Sequence, residues 1–408
     1  MISEIKKALT PHFSRDETEG NNTILDLVDD ICKKEIEPFS QDMDKTGVRL
    51  DNGKTIIHDQ MRKILETFKK NDIFGIAAPE EYSGVGLSQT LYNAIIDRVA
   101  AADASVSVYL ALQGALIDYL LHYGSTEQKE MYLPDLAKGN RLGGFLYTEP
   151  DSGSDLGSVK TKAVREGENY LLNGQKIFIS NAGIADTYSM LVATDPSKGS
   201  RGLSAFIFDA RNQPGFKVTR LEDKMGLHAS PTGQVMFENC IVPVTNRFGE
   251  ENKGFSVILW GLSASRIGIA AQAVGIAEAA YMRGLTYASE RKQFNTRILD
   301  FQNTQFKVAD MATKINIARN YYVYASRIKE QGKPFFKEAS IAKYYASEMA
   351  SQVAYDALQL HGGYGFIKDY GIEKEYRDAR ITTIYEGTSE VQKMVISREE
   401  INNLGRMN

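Results

Sequence analysis

Hydrophobic positions divide the chain into three textures. From residue 1 to about 142 they recur at helical spacing. Ile24, Leu25, Leu27, Val28, Ile31 and Cys32 form one stripe, and Met61, Ile64, Leu65 and Phe68 form another. Thr90 to Ala102 and Ser105 to Tyr123 predict two further helices. The second is apolar all round, which suits a core helix or one lining an apolar ligand pocket. Gly75 to Gly86 reads as a loop between helices. Its Gly84-x-Gly86 lacks the third glycine, the leading strand and the βαβ repeat of a dinucleotide fingerprint, so a Rossmann unit is rejected. Near residue 143 the spacing changes. Leu171 to Ser180 is two alternating runs joined by Asn173-Gly174, which predicts a hairpin. Met190–Ala193, Ala205–Phe208, Phe216–Val218 and Gln234–Phe237 predict further strands. From Gly254 long helices return. Val308, Met311, Ala312, Ile315, Ala318 and Tyr322 form one stripe, and Ala339, Ala342, Ala346, Met349 and Val353 another. Alanine on these faces permits close packing in an antiparallel bundle.

The expected architecture is therefore an α+β multidomain chain. An N-terminal all-α domain (1–142) precedes a middle antiparallel β-barrel or sandwich domain (143–252) and a C-terminal four-helix bundle (253–408). The length of 408 residues agrees, being too great for one ordinary core. Composition excludes several function classes. A net charge of −4 gives no reason to expect nucleic-acid binding. Cys32 and Cys240 make neither a disulfide framework nor a CxxC pair, and the five histidines show no metal-ligand spacing, so no metal is expected. Met1 to Glu19 lacks an apolar h-region, and no apolar run looks long enough to span a membrane, so the expected location is cytoplasmic.

Candidate chemistry gathers near the C-terminal end, in Tyr376 to Gln392. Its first part alternates charged and apolar residues without helical spacing. Ser389 and Gln392 have the spacing of a capping box, so a helix is predicted to start there. Glu386 reads either as a solvated turn acid or as a carboxylate enclosed by Tyr385, Ile384 and a flat apolar ligand. In the second case Gly387 lets backbone approach the ligand, and desolvation raises the carboxyl pKa toward that of a general base. Leu146 to Asp155 is crowded with hydroxyls and turn formers. It is an acidic turn, or a loop meeting the polar edge of a ring system. No P-loop is present, which argues against a nucleoside triphosphatase. Arg291, at a helix end, offers a fork matched to phosphate oxygens. Gly362 and Gly363 supply a helix cap and bare backbone open to a phosphate or adenine.

Taken together and in order, five motifs resemble the acyl-CoA dehydrogenases across nearly the whole chain. They are Tyr147-Thr148-Glu149 to Ser154-Asp155, Phe178-Ile179-Ser180-Asn181, Glu290-Arg291-x-x-Phe294, Gln359-x-x-Gly362-Gly363, and Tyr376-Arg377-Asp378 leading to Tyr385-Glu386-Gly387-Thr388. The resemblance implies FAD held between the β domain and the bundle. Tyr147, Thr148, Ser154, Phe178 and Ser180 would meet the flavin ring region. Thr388 and Glu390 would approach the adenosine half. Arg291, Gln293, Phe294 and Gln302, with Gln359, Gly362 and Gly363, would act on the flavin of a neighbouring subunit. A homo-oligomer, a dimer of dimers, is implied. Ser154, Arg266 and Gly387 would meet the acyl-CoA substrate, Arg266 at its CoA portion. Glu386 would remove the α-proton while its backbone N–H and a flavin ribityl hydroxyl hold the thioester oxygen. The β-hydrogen would leave as hydride to flavin N5, giving a trans-2-enoyl-CoA, with electrons passed to an electron-transferring flavoprotein.

Departures from the family pattern are specific. Phe178 stands where many members have Trp, Ser180 where Thr is frequent, and Ser263 where several have Asp. Some members carry the base one residue before Arg266; here that residue is Ser265, so Glu386 has no rival. His228 lies where Arg is frequent, either as a satisfied surface histidine or as a CoA-phosphate contact at acid pH. An acyl-CoA oxidase and a non-catalytic flavoprotein remain alternatives on the same fold. Helix Val106 to Leu121 and residues near Trp260 are expected to wall the acyl pocket. No Arg or Lys falls in Ser105 to Tyr123, which disfavours a dicarboxylic substrate. Short, medium and branched acyl chains remain open.

Overall fold

The computed structural model describes residues 1–211 and 213–407. Seven helices come first: α1 (Ile2–Leu9), α2 (Arg15–Ile31), α3 (Ser40–Thr46), α4 (Asp59–Lys70), α5 (Gln89–Ala102), α6 (Ala104–Tyr123) and α7 (Thr126–Ala137). A small hairpin of β1 (Arg49–Asp51) and β2 (Lys54–Ile56) interrupts them. Local chemistry sets these helix starts. Ser14 and Glu17 cap α2 reciprocally, Ser125 and Gln128 do so for α7, and the Asp103 carboxylate accepts from the N–H of Val106 to begin α6. Between α4 and α5 the Gly75–Gly86 segment is a loop, as expected.

Eight strands form the middle sheet: β3 (Gly143–Leu146), β4 (Lys162–Glu166), β5 (Asn169–Ser180), β6 (Thr187–Ala193), β7 (Leu203–Asp209), β8 (Phe216–Leu221), β9 (Thr232–Pro243) and β10 (Arg247–Phe248). Their order is β10-β7-β6-β4-β5-β9-β8, with β3 also on β6. Most pairs are antiparallel, but β3 pairs with β6 in parallel and β4 touches β6 in parallel at Lys162↔Ala193. The sheet is thus mixed and its path does not close into a barrel. A crossover separates β3 from β6, because the β4–β5 hairpin lies between them in sequence, and a crossover is what parallel pairing requires.

One turn lies elsewhere than the sequence suggested. Asn173-Gly174 is not a hairpin: β5 runs through it, with a bulge against β9 between Leu172 and Gly174. A Cβ on Gly174 would come within 2.6 Å of the Thr161 hydroxyl, so the glycine serves close strand approach. The Asn173 amide spends itself on Asn239, accepting from its N–H at 2.9 Å. The true turn is at Gly167, φ +60°, closing the β4–β5 pair at Glu166↔Asn169.

The last third is helical: α8 (Gly254–Glu290), α9 (Gln302–Glu330), α10 (Phe336–Leu360), α11 (Ile372–Ile381) and α12 (Ser389–Met407), with a short ribbon of β11 (Lys292–Gln293) and β12 (Thr296–Arg297) after α8. The stretch beginning at Tyr376, which shows no helical spacing in sequence, lies within α11. Its helix is fixed by burial of charge: Lys374 donates to Asp378 one turn away at 2.7 Å and pairs with Asp103 at 3.2 Å. Helices α6 and α8 also correct the membrane expectation. Both are long and apolar enough by composition to cross a bilayer, but 72% and 83% of their apolar windows are buried inside the fold. Neighbouring helices, rather than lipid, cover that surface.

Small residues let α8 run close to its neighbours. A Cβ on Gly275 would meet the Asp97 carbonyl of α5 at 2.2 Å. Beside this crossing sits a buried ion cluster. Arg319 of α9 grips Asp97 with two bonds of 2.8 and 3.1 Å and Glu278 with one of 3.1 Å, and Tyr322 donates to Asp97 at 2.9 Å. Arg319→Met should strand two buried carboxylates and cost about 3–5 kcal/mol. Urea unfolding checks this; Arg319→Lys should recover part of the loss.

Candidate active site

The turn between α11 and α12 holds Glu386 at φ +53° and Gly387 at φ +91°. A glutamate in the left-handed region is strained by about 1–3 kcal/mol and persists only where its surroundings over-determine it. Here they do. Lys343 of α10 donates to the Gly387 carbonyl at 2.7 Å, and the Gln392 amide donates to the same oxygen at 2.8 Å. The Glu386 carbonyl accepts from Arg266 and from Gln392, each at 3.4 Å. Tyr385, next in line, donates its hydroxyl to the Gln272 side chain. A Cβ on Gly387 would approach the Gln392 amide to 2.7 Å, so glycine is needed for the close contact as well as for φ.

The carboxyl group itself receives one bond, from the Ser265 hydroxyl to Oε2 at 2.7 Å. Burial raises its pKa above the ordinary glutamate value. The Ser265 bond and the positive charges of Arg266 and Lys343 pull it partly back. Burial pushes the Lys343 ammonium down to about 8, opposed chiefly by Glu386. The site therefore combines a carboxylate tuned upward with two buried cations.

Opposite this turn lies the β-sheet wall. Tyr147 follows β3 and stacks on Phe145 with centroids 5.2 Å apart. The loop after it is pinned from beneath by buried Lys176, which donates to the Tyr147 carbonyl (3.1 Å), the Leu191 carbonyl (2.7 Å) and the Glu149 carboxylate (2.8 Å). Glu149 in turn accepts from the N–H groups of Lys160 and Thr161 at 2.6 and 3.0 Å. Phe178 stands at φ +56° with 62% of its surface exposed. Val108, Leu112, Tyr147, Thr148, Ser154, Phe178, Ser180, Tyr385, Glu386, Gly387 and Thr388 line one cleft of about 590 Å³. The side chains of Thr148, Ser154 and Ser180 make no hydrogen bond among the described residues. An apolar wall with free hydroxyls around it fits a flat ring with polar edges, which is what FAD presents.

Other expected site residues lie apart. Arg266 is buried behind the turn, reaching Ser263 and Ser340 as well as Glu386, rather than opening onto the cleft. Glu390 is exposed on the first turn of α12. Arg291, Gln293, Gln359, Gly362 and Gly363 line a second recess of about 430 Å³ that shares no residue with the cleft. Phe294, 93% exposed, and the exposed Gln302 are in the adjoining chain but do not line it. The chain thus brings together two sets, not one.

Two details differ from the sequence reading, and a third, His228, follows the first of its two readings. Ser389 is not half of a capping box: its hydroxyl donates to Glu348, and Thr388 accepts from the Val391 N–H at 3.4 Å. Gln392 is left free to hold the Glu386–Gly387 carbonyls. Trp260 does not line the cleft but stacks on His122, centroids 3.9 Å apart, in another cavity. His228 is satisfied by Asp44 at 3.1 Å and by the Lys224 carbonyl at 2.7 Å. Sequence reasoning missed Ser265, Lys343 and Gln392 as site residues. Lys343 carried a signal, being a lysine on the alanine stripe of Ala339, Ala342 and Ala346.

A helical domain, a mixed sheet and a helical bundle meeting at a carboxylate-bearing cleft of this shape define a flavoprotein of the acyl-thioester type. Family profiles agree. The acyl-CoA dehydrogenase N-terminal domain matches residues 18–140, the middle domain 144–240 and the C-terminal domain 252–401. The chain belongs to the acyl-CoA dehydrogenase family, and it is an FAD-dependent oxidoreductase acting on CH–CH bonds. It is 43% identical over 381 residues to 3-(aryl)acrylate reductase of Clostridium sporogenes, covering 93% of this chain and 98% of the relative. It is 40% identical over 382 residues to the caffeyl-CoA reductase-Etf complex subunit CarC of Acetobacterium woodii, covering 93% and 98%. Among solved structures, butyryl-CoA dehydrogenase from Megasphaera elsdenii superposes with a TM-score of 0.88 at 37% identity, covering 96% of this chain and 99% of that one.

Removing the Lys343 charge should raise the Glu386 pKa further, because that charge favours the ionised carboxyl. The acid limb of substrate-dependent flavin reduction should then move to higher pH in Lys343→Met and stay near its original place in Lys343→Arg. Stopped-flow reduction across pH measures the limb directly.

Proposed function

We propose that this enzyme catalyses α,β-dehydrogenation of an acyl-CoA thioester to its trans-2-enoyl-CoA, with Glu386 as the base. The observation that carries this reading is the Glu386 carboxyl, raised by burial, with Oε2 bonded to Ser265 and Oε1 without a partner among the described residues. Oε1 takes the α-proton. The Glu386 N–H also has no partner among the described residues, and it offers a donor to the thioester oxygen as enolate charge develops. Arg266, Lys343 and Gln392 hold the turn so that the carboxyl and this N–H act on one substrate atom pair without reorganising. Tyr147, Thr148, Ser154, Phe178, Ser180 and Thr388 hold the cofactor, and Ser154 and Gly387 form the substrate end. Bound FAD supplies the acceptor for the β-hydride. Closure of the cleft by cofactor and acyl group excludes water and strengthens each of these bonds.

The second recess supports a homo-oligomeric reading. Arg291, Gln293, Gln359, Gly362 and Gly363, with Phe294 and Gln302 beside them, serve the FAD of a neighbouring subunit in a dimer of dimers. An electron-transferring flavoprotein is the proposed electron partner, a reading supported by the relative from an Etf complex. The two reductases among the relatives support a second reading, in which the same groups run in reverse and Glu386 returns a proton to the α-carbon of an enoyl thioester.

Glu386→Gln should keep bound FAD and acyl-CoA affinity but slow flavin reduction by about 10²–10⁴-fold, the usual contribution of a general base. Anaerobic visible spectroscopy with acyl-CoA measures it; near-normal bleaching would reject Glu386 as the base. Arg291→Ala should leave flavin reduction by bound substrate intact yet release FAD during gel filtration. Full FAD retention would count against the shared-site arrangement.

A further inference from the structure

The segment 222–231 joins β8 to β9 and walls one side of the Glu386 cleft through residues 222–227 and Ser230. It has no helix or strand of its own, and Leu227 within it stands at φ +53°. A leucine in that region is strained and stays there only while its surroundings hold it. On the α11 side, Asp378 accepts from the Leu227 N–H at 2.7 Å, and Arg377 donates to the Met225 carbonyl at 3.1 Å. Toward α3, the hydrogen bonds among the described residues come from one side chain, His228, next to the strained leucine.

Both nitrogens of that ring face acceptors. Nε2 lies 2.7 Å from the Lys224 carbonyl, and Nδ1 lies 3.1 Å from both the carbonyl and the carboxylate of Asp44. A neutral imidazole has one N–H and one lone pair, so one of these contacts would set a lone pair against an oxygen. Only the imidazolium donates at both. The titratable and charged groups around it are Asp44 on α3, Arg377, Glu373 and Lys374 on α11, and Lys224, Asp223 and Glu222 in its own segment. Arg377 donates to Asp44 at 2.6 Å, so one carboxylate joins two cations from two elements. The bond to Asp44 holds the His228 pKa above the ordinary histidine value, against burial and the Arg377 charge.

We infer that His228, as an imidazolium, is a positioning residue that clasps the 222–231 wall of the cleft to α3, and that this wall loosens its grip on bound FAD when the ring gives up its proton. This rests on FAD occupying the Glu386 cleft. The clasp is complete below about 6.5, the ordinary histidine value, and is lost as the pH rises through the raised one. Once one ring nitrogen turns from donor to lone pair, the strained Leu227 beside it is held from α11 alone, and the segment relaxes.

The test compares FAD-loaded enzyme at about pH 6 and about pH 9, on either side of the histidine range. Hydrogen exchange of residues 222–231, corrected for intrinsic rate, reads the wall, and the rate at which FAD passes an ultrafilter reads the grip. At the higher pH, wild type should lose protection in this segment and release FAD about tenfold faster, the scale of one hydrogen bond to a charged group. His228→Gln should be unprotected and release FAD fast at both. His228→Asn reports the same should the glutamine variant fail to fold. His228→Arg, a cation throughout, should remove the pH dependence. Lys224, which burial pushes down to about 8, titrates in the same segment, and its effect would survive His228→Arg. A pH dependence that persists in His228→Arg therefore overturns the inference, as does a wild type with equal protection and equal FAD release at both pH values. A wall that loosens without faster FAD release overturns the link to the cofactor.

Discussion

The constraint on which the site depends is the left-handed turn at Glu386–Gly387. Left alone, a glutamate avoids that backbone conformation. It is held by donors from three helices, Arg266 on α8, Lys343 on α10 and Gln392 on α12. Two of these are buried cations whose own desolvation is unfavourable, so each is best accommodated when it reaches the turn's carbonyls and the nearby carboxyl. The cations and the turn therefore stabilise one another. The arrangement also sets the chemistry: burial lifts the carboxyl toward the range of a working base, while the cations limit how far it rises.

The opposite wall uses the same device in a different fold. Lys176 is buried under the sheet and satisfied by Tyr147, Leu191 and Glu149. Glu149 completes itself with the backbone N–H groups of Lys160 and Thr161, just before β4. This places the Tyr147–Thr148 loop without using the Thr148 and Ser154 hydroxyls, which stay available in the cleft, while the Tyr147 hydroxyl donates to Ser189 at 2.8 Å. A rigid sheet thus offers uncommitted donors, and a helical bundle offers a committed turn. The cleft is where the two meet.

The elements were legible where one local pattern dominated. The apolar stripes of α4, α9 and α10 are sufficient in themselves. Reading failed where a residue's partner lay far along the chain. Asn173-Gly174 has turn chemistry, but Thr161 and Asn239 draw it into a continuous bulged strand. Residues Ile372 to Ile381 lack a helical apolar stripe because their buried face is ionic, with Lys374 set between Asp378 and Asp103. Ser389 looked like a cap until Glu348 took its hydroxyl. In each case a tertiary contact outweighed a local preference worth about 1 kcal/mol.

The sequence by itself determined the three-part architecture and the family and marked the candidate site residues, because motif identity and hydrophobic period are properties of short segments. Glu386 with its glycine, the hydroxyl-rich loop after Tyr147 and the Arg291 helix end were visible in this way. Only the tertiary structure decided how they are grouped. It separated Arg291, Gln359 and Gly362 from the Glu386 cleft, turned Arg266 inward, and brought Ser265 to Glu386 and Lys343 to Gly387 across 121 and 44 positions of chain. It also seated Tyr119 of one helix in the notch left by Gly261 of another. Distances between segments, on which pKa and cavity size depend, are fixed by packing and have no local signature to read.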